Sequence, residues 1–207
     1  PDVVVATPVN LRYSDEIDYL MAAQNHQIPT VIPVHSWDNL TTKGTFHFTP
    51  DLMLVWNKFQ AEEANKIHNI PNTNIVITGS PFMDKWFNHT CTNSNEYKKL
   101  LPKSQYILYL GSSSNIAPNE IPTLYELADG LEKHYNQYSC NISILARPHP
   151  ANEKPFLEIN HPRIKTWIRG RDELPDSPKS FWEFSKAISD SICVIGINTT
   201  GMIDAIL

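Results

Sequence analysis

The chain lacks a basic excess: among 207 residues, 17 Lys and Arg stand against 22 Asp and Glu, for a formal net charge of −5. Nucleic-acid binders normally present a basic face, so that class is excluded, and any anion site has to be local. Long hydrophobic runs are missing too. None approaches the roughly 18 residues of a membrane span, and no basic-then-apolar leader opens the sequence. The chain reads as soluble and cytoplasmic, with peripheral contact at the inner face of the plasma membrane left open.

Cysteine is scarce. Cys91, Cys140 and Cys193 are widely spaced and odd in number, which suits neither a disulfide framework nor a zinc knuckle and fits a reducing compartment. Eight histidines are present, but none forms a His-Glu-x-x-His pair, and no strand ends in Asp-x-Asp. No catalytic metal is expected. Gly111-Ser112-Ser113-Ser114-Asn115 has no Gly-Lys-Thr or Gly-Lys-Ser ending and so is not a Walker loop.

What is present is a rhythm. Short β-branched runs alternate with longer stretches of helical periodicity, the signature of βαβ units and a parallel α/β sheet. Strands are predicted over 3–6, 30–34, 52–56 and 75–78, then over 106–110, 142–146, 164–167 and 192–195. Helices are predicted over 14–27, 59–68, 121–135, 181–189 and 200–207. The near-continuous hydrophobicity of the first four strands predicts a sheet covered on both faces. The stretch from Gly79-Ser80-Pro81 through the polar residues 89–96 breaks the rhythm. The predicted organisation is a Rossmann-like domain over 1–88, a linker over 89–104 and a second Rossmann-like domain over 105–207. The charged segment 169–179, with Pro175 and Pro178, is predicted to be a surface loop. The chain opens almost directly in a strand without an initiator Met and stops within an apolar helix, so a fragment with both domains incomplete is expected.

The chemistry gathers at the ends of strands, where open parallel sheets bind ligands. Arg147-Pro148-His149-Pro150 ends one strand with two prolines that stop the ladder. Arg147 offers a fork of donors suited to phosphate, and His149 a donor or a proton near neutral pH. Asn198-Thr199-Thr200-Gly201 follows another strand, where Asn198 or Thr199 can cap a helix facing an anion. Asp204 lies one turn beyond Thr200, placed to hold a ribose diol. Gly111, Ser112 and Ser113 form a third strand-end loop with donors and room for close approach. In the first half, His35-Ser36-Trp37-Asp38 follows a strand, with Trp37 as a carbohydrate platform and Asp38 or His35 as a base. Each of these also has a plain reading as a stiff corner, a cap or a turn.

Two α/β halves with anion sites at the strand ends of the second resemble a GT-B glycosyltransferase. The motifs are Ser36-Trp37-Asp38-Asn39-Leu40-Thr41, Val55-Trp56-Asn57, Thr78-Gly79-Ser80-Pro81-Phe82-Met83-Asp84, Arg147-Pro148-His149-Pro150 and Gly196-Ile197-Asn198-Thr199-Thr200. They are similar to those of a bacterial GT-B group related to polysaccharide-forming transferases. The His-Pro and paired-hydroxyl elements are also similar to those of CDP-glycerol glycerophosphotransferases and bacterial sialyltransferases. The resemblance implies that Arg147, His149, Thr199 and Thr200 contact donor phosphates, that Asp204 holds the ribose, and that Asp38 is the acceptor base. It implies metal-independent transfer of a sugar or polyol phosphate from a nucleotide-sugar or CDP-polyol donor to a surface-glycan acceptor, with no cofactor beyond that substrate. Two other readings compete: an isomerase like UDP-N-acetylglucosamine 2-epimerase, which needs acid–base groups around one nucleotide sugar and no acceptor, and a non-catalytic nucleotide- or glycan-binding module.

Overall fold

The computed structural model describes residues 1–11, 13–88, 95–138, 141–168 and 177–206. Cys91, Cys140, the linker residues 89–94, residues 169–176 of the expected surface loop and Leu207 lie outside the described residues. The chain divides into two compact units, Pro1–Lys85 and Trp86–Leu207.

The first unit holds a four-stranded parallel sheet in the order β1-β2-β3-β4, with β1 Val4–Val5, β2 Thr30–Pro33, β3 Leu52–Val55 and β4 Ile75–Ile77. Helix α1, Glu16–Asn25, connects β1 to β2, and α2, Lys58–His68, connects β3 to β4. Helix α2 starts where Asn57 Oδ1 accepts the Gln60 N–H, and stops at Asn69, which takes the left-handed conformation that releases a helix. The register sets Ile32, Met53 and Ile75 side by side. They pack with Leu20, Ala64, Leu40, Phe46 and Phe48 into one core cluster.

The expectation that both faces of this sheet are covered is corrected. The row formed by Val5, Val31 and Leu52 alternates with the core row, and Val5 stays 58% exposed. Val76 of β4, on that same face, is exposed as well. One face of the sheet is buried and the other only half covered, because α1, α2 and the loop over residues 39–48 all contribute to the single cluster.

The second unit opens within the short helix α3, Lys85–Asn88, and continues with α4, Asn95–Leu100. Its parallel sheet has the order β7-β6-β5-β8, with β5 Gln105–Leu110, β6 Ile142–Arg147, β7 Ile164–Thr166 and β8 Val194–Gly196. Helix α5, Ile121–Tyr138, follows β5, and α6, Pro178–Ser189, precedes β8. This sheet is packed on both sides. Tyr106, Leu108, Leu110 and Leu145 meet Trp182 and Phe184 of α6 in one cluster, whereas Tyr109, Ile144 and Ala146 meet Leu124 and Ala128 of α5 in another. Alternate residues of each strand feed opposite clusters, as the two-residue period of a strand requires.

The predicted loop over 169–179 also needs correction at its end, since Pro178 and Lys179 begin α6. Ser177 Oγ accepts the Ser180 N–H, and Pro178 occupies the first helical position, where its missing N–H costs nothing. Trp86 belongs to the packing of this unit, with its ring edge-on to Phe181 at 4.8 Å between centroids.

Candidate functional site

The strand order of the second unit reverses at β5. From β5 the chain moves outward to β6 and β7, then returns to place β8 on the other side of β5. The carboxyl ends of β5 and β8 therefore flank a topological switch point, the place where open α/β sheets leave a ligand crevice. Gly111, Ser112 and Ser113 leave β5 there. Asn198, Thr199 and Thr200 leave β8 on the facing side, and His149 leaves the adjoining β6.

Close approach between these segments depends on small residues. A Cβ on Gly111 would stand 3.0 Å from Pro148 Cα and 3.1 Å from His149 N, so any larger residue would crowd β5 against the Arg147-Pro148 corner. The Gly111 N–H donates to Arg147 O at 2.9 Å, which extends the β5–β6 ladder by one rung. A Cβ on Gly196 would meet Leu110 O at 2.9 Å, so β8 is held equally close on the other side.

Ser112 is the junction of the crevice floor. It is fully buried, and its N–H, carbonyl and hydroxyl are all engaged. The N–H donates to Glu120 Oε1 at 2.6 Å, the carbonyl accepts from Asn152 Nδ2 at 3.2 Å, and Oγ accepts the Asn198 N–H at 3.2 Å. Asn152, also buried, sends a second bond to Ala117 O. Ser113 closes a turn by accepting at its carbonyl from Ile116 and Ala117. Ser112 thus joins the loops rather than projecting into solvent. Sequence reasoning missed Glu120 and Asn152; a Glu between Asn119 and Ile121 reads as an ordinary acidic helix start.

His149 lines an open groove together with Ser114, Asn152, Glu153, Lys154 and Leu157. Its Nδ1 accepts the Ala151 N–H at 3.1 Å, which leaves Nε2 as the proton-bearing nitrogen. Partial burial lowers its pKa, and the Arg147 charge lowers it further against a small opposing effect of Glu120. An imidazole of this kind offers an N–H donor near neutral pH.

Arg147 and His149 part company. The Arg147 guanidinium stacks on Phe184 at 4.4 Å and stands 5.3 Å from the Trp167 ring, on the α6 side of the sheet. Its cation is held by aromatic faces.

The helix after β8 is α7, Gly201–Asp204. Its cap position is Thr200 rather than the expected Asn198 or Thr199, and no side-chain oxygen caps it. Asn198 and Thr200 are exposed and Thr199 half-buried. Asp204 Oδ1 accepts from Trp86 Nε1 at 3.1 Å, so this carboxylate ties α7 to Trp86.

In the first unit, Asp38 follows β2 within the loop that Gln60 supports. Gln60 is buried, accepts the Trp56 N–H at 2.8 Å and donates to Ser36 O and Trp37 O. Asp38 accepts from Ser36 Oγ at 2.7 Å and Thr42 Oγ1 at 2.8 Å, and pairs with Lys43 at 3.3 Å. Burial alone pushes its pKa up, but these hydrogen bonds and the Lys43 charge hold it below the usual value. That environment makes Asp38 a turn-holding carboxylate and a weak base. Trp37 beside it is 43% exposed. Among the described residues, no three His, Cys, Asp or Glu side chains converge as a metal would require, and no helix is long and apolar enough to cross a membrane.

No family model matches the sequence, and no curated protein matches it. Solved structures do resemble the fold. The co-structure of S. aureus MnaA with UDP superposes with a TM-score of 0.60 at 15% identity over 99% of this chain and 54% of that one. The UDP-GlcNAc 2-epimerase from Methanocaldococcus jannaschii gives a TM-score of 0.57 at 13% identity over 99% of this chain and 58% of its own. The chain thus spans little more than half the length of these neighbours. Two parallel four-stranded sheets with this likeness make the fold a two-Rossmann, GT-B-like α/β architecture. The expectation of glycosyl or polyol-phosphate transfer to a glycan acceptor is corrected by the same comparison, because the neighbours are a UDP complex and a UDP-GlcNAc 2-epimerase, and they favour the epimerase alternative.

Proposed function

We propose that this chain binds a UDP-sugar at the β5–β8 switch point and forms part of an epimerase-like isomerase acting on that nucleotide sugar. The observation that carries the reading is the topology: the strand order reverses at β5, and Ser112 joins Asn198 across the switch point. The likeness to a UDP-bound structure and to a UDP-GlcNAc 2-epimerase supports the choice of nucleotide and of reaction class.

In this reading His149 donates Nε2–H to the diphosphate, and Thr199 and Thr200 add hydroxyls from the facing loop. Their fixed positions before binding are what make such donors effective on a developing negative charge. Removing the C2 proton balances if its electron pair forms a C1–C2 double bond as the C1–O bond to the diphosphate breaks. A proton then returns to the opposite face of C2 and the diphosphate re-adds at C1, so the site needs acid–base groups around a single substrate and no acceptor.

Incubation of the protein with UDP-GlcNAc alone tests this. Formation of the C2 epimer, with solvent deuterium incorporated at C2 in heavy water, supports the isomerase. UDP binding with no epimer and no isotope exchange assigns a binding module instead, and absence of UDP binding defeats the reading altogether.

A further inference from the structure

The carboxyl group of Glu120 is the most buried polar group of the second unit without a place in the proposed chemistry. It is fully buried, yet it sits just before α5, where a glutamate ordinarily faces water. Its two oxygens are divided between two elements. Oε2 accepts from Tyr109 Oη at 2.6 Å, on the strand, and Oε1 accepts the Ser112 N–H at 2.6 Å, on the loop that leaves it. Its own carbonyl accepts the Leu124 N–H and so begins the helix. Burying a carboxyl group without such partners would be strongly unfavourable.

We infer that Glu120 is a positioning residue for the UDP crevice: by holding the Ser112 N–H it fixes Ser112 Oγ where it accepts the Asn198 N–H, and thereby sets the spacing between the β5 and β8 walls. The inference rests on the proposed UDP site. Glu120 itself touches no ligand, since it lies beneath Ser112. Its influence passes through one loop residue to the opposite wall. Asn152 supports the same residue from the other side, through the Ser112 carbonyl. Removing the acceptor at Oε1 frees the loop, and because the Glu120 charge also acts on His149, Glu120→Gln, which loses that charge but keeps the acceptor, separates the two effects.

The test compares Glu120→Leu, Glu120→Gln and Tyr106→Phe with the parent protein. Tyr106 lies on the same strand but faces α6, where its hydroxyl donates to Ala187 O at 2.9 Å, so it reports stability loss alone. UDP affinity is measured by calorimetry, and the Ser112 and Asn198 amide signals are followed by NMR without ligand. Glu120→Leu is expected to weaken UDP binding about tenfold, the scale of one lost buried hydrogen bond. Glu120→Gln keeps an acceptor for Ser112 and should restore affinity, and Tyr106→Phe should melt earlier with affinity unchanged. Parent-like affinity in Glu120→Leu, or losses that merely track stability across all three variants, would overturn the inference. If the parent binds no UDP, the proposed function fails, and the amides decide the positioning role alone. Shifted Ser112 and Asn198 signals in Glu120→Leu, recovered in Glu120→Gln, uphold it, and an unmoved Asn198 signal ends it.

Discussion

The Asn198 N–H donates to Ser112 Oγ at 3.2 Å across 86 positions of sequence, joining the loop after β8 to the loop after β5. Replacing Ser112 with Ala removes the acceptor and leaves the rest of the loop in place. The expected cost is about 1 kcal/mol, the usual net value of one hydrogen bond. Urea denaturation should register it, and the Asn198 amide should exchange faster with solvent.

Gly111→Ala should be more damaging. The added Cβ meets backbone atoms of Pro148 and His149, which cannot swing aside as a flexible side chain can. Overpacking of this kind costs about 1–3 kcal/mol. A variant melting at the parent temperature would show that β5 and β6 are not held this close.

Arg147→Lys keeps the charge and loses the planar stack on Phe184 and Trp167. A loss of about 0.5–2 kcal/mol is expected from the cation–π contacts. Phosphate binding that fell while stability stayed constant would instead assign the guanidinium to the ligand.

His149 makes stability depend on pH. Its folded pKa lies below the ordinary value of 6.5, so the unfolded chain binds the proton more readily. The contribution is complete above pH 6.5 and is lost as pH falls from there through the folded value. His149→Asn keeps an acceptor for the Ala151 N–H but cannot titrate, so its melting temperature should fall less than the parent's between pH 7.5 and pH 5.5. An NMR titration placing the His149 midpoint above 6.5 would contradict this.

Gln60→Leu tests the first unit. The substitution leaves the Trp56 N–H and the carbonyls of Ser36 and Trp37 without their partner. Destabilisation of about 1–3 kcal/mol is expected. Loosening of the loop around Trp37 should shift tryptophan emission to the red, and an unchanged spectrum would separate the loop's order from Gln60.

The alternation of apolar runs and helical stretches already determined the eight parallel strands of the described residues and the longer helices between them, but not α4, which lies inside the expected linker. Strand and helix periods differ, and burial on a packed sheet selects apolar residues directly. The strand-end positions of Gly111, Arg147, His149 and Asn198 were legible for the same reason. Strand order was not, since no local pattern records that β8 returns beside β5 rather than beyond β7. That order alone brings Ser112 to Asn198 and makes a crevice of two separate loops. Side-chain fates were equally hidden. Asp38 is absorbed by Ser36, Thr42 and Lys43, Arg147 turns to Phe184, Asp204 accepts from Trp86, and Glu120 is buried beneath Ser112. A residue's type sets which bonds it can make, but its partners come from distant parts of the chain. Only the folded arrangement decides whether a polar side chain faces a ligand or holds the wall behind one.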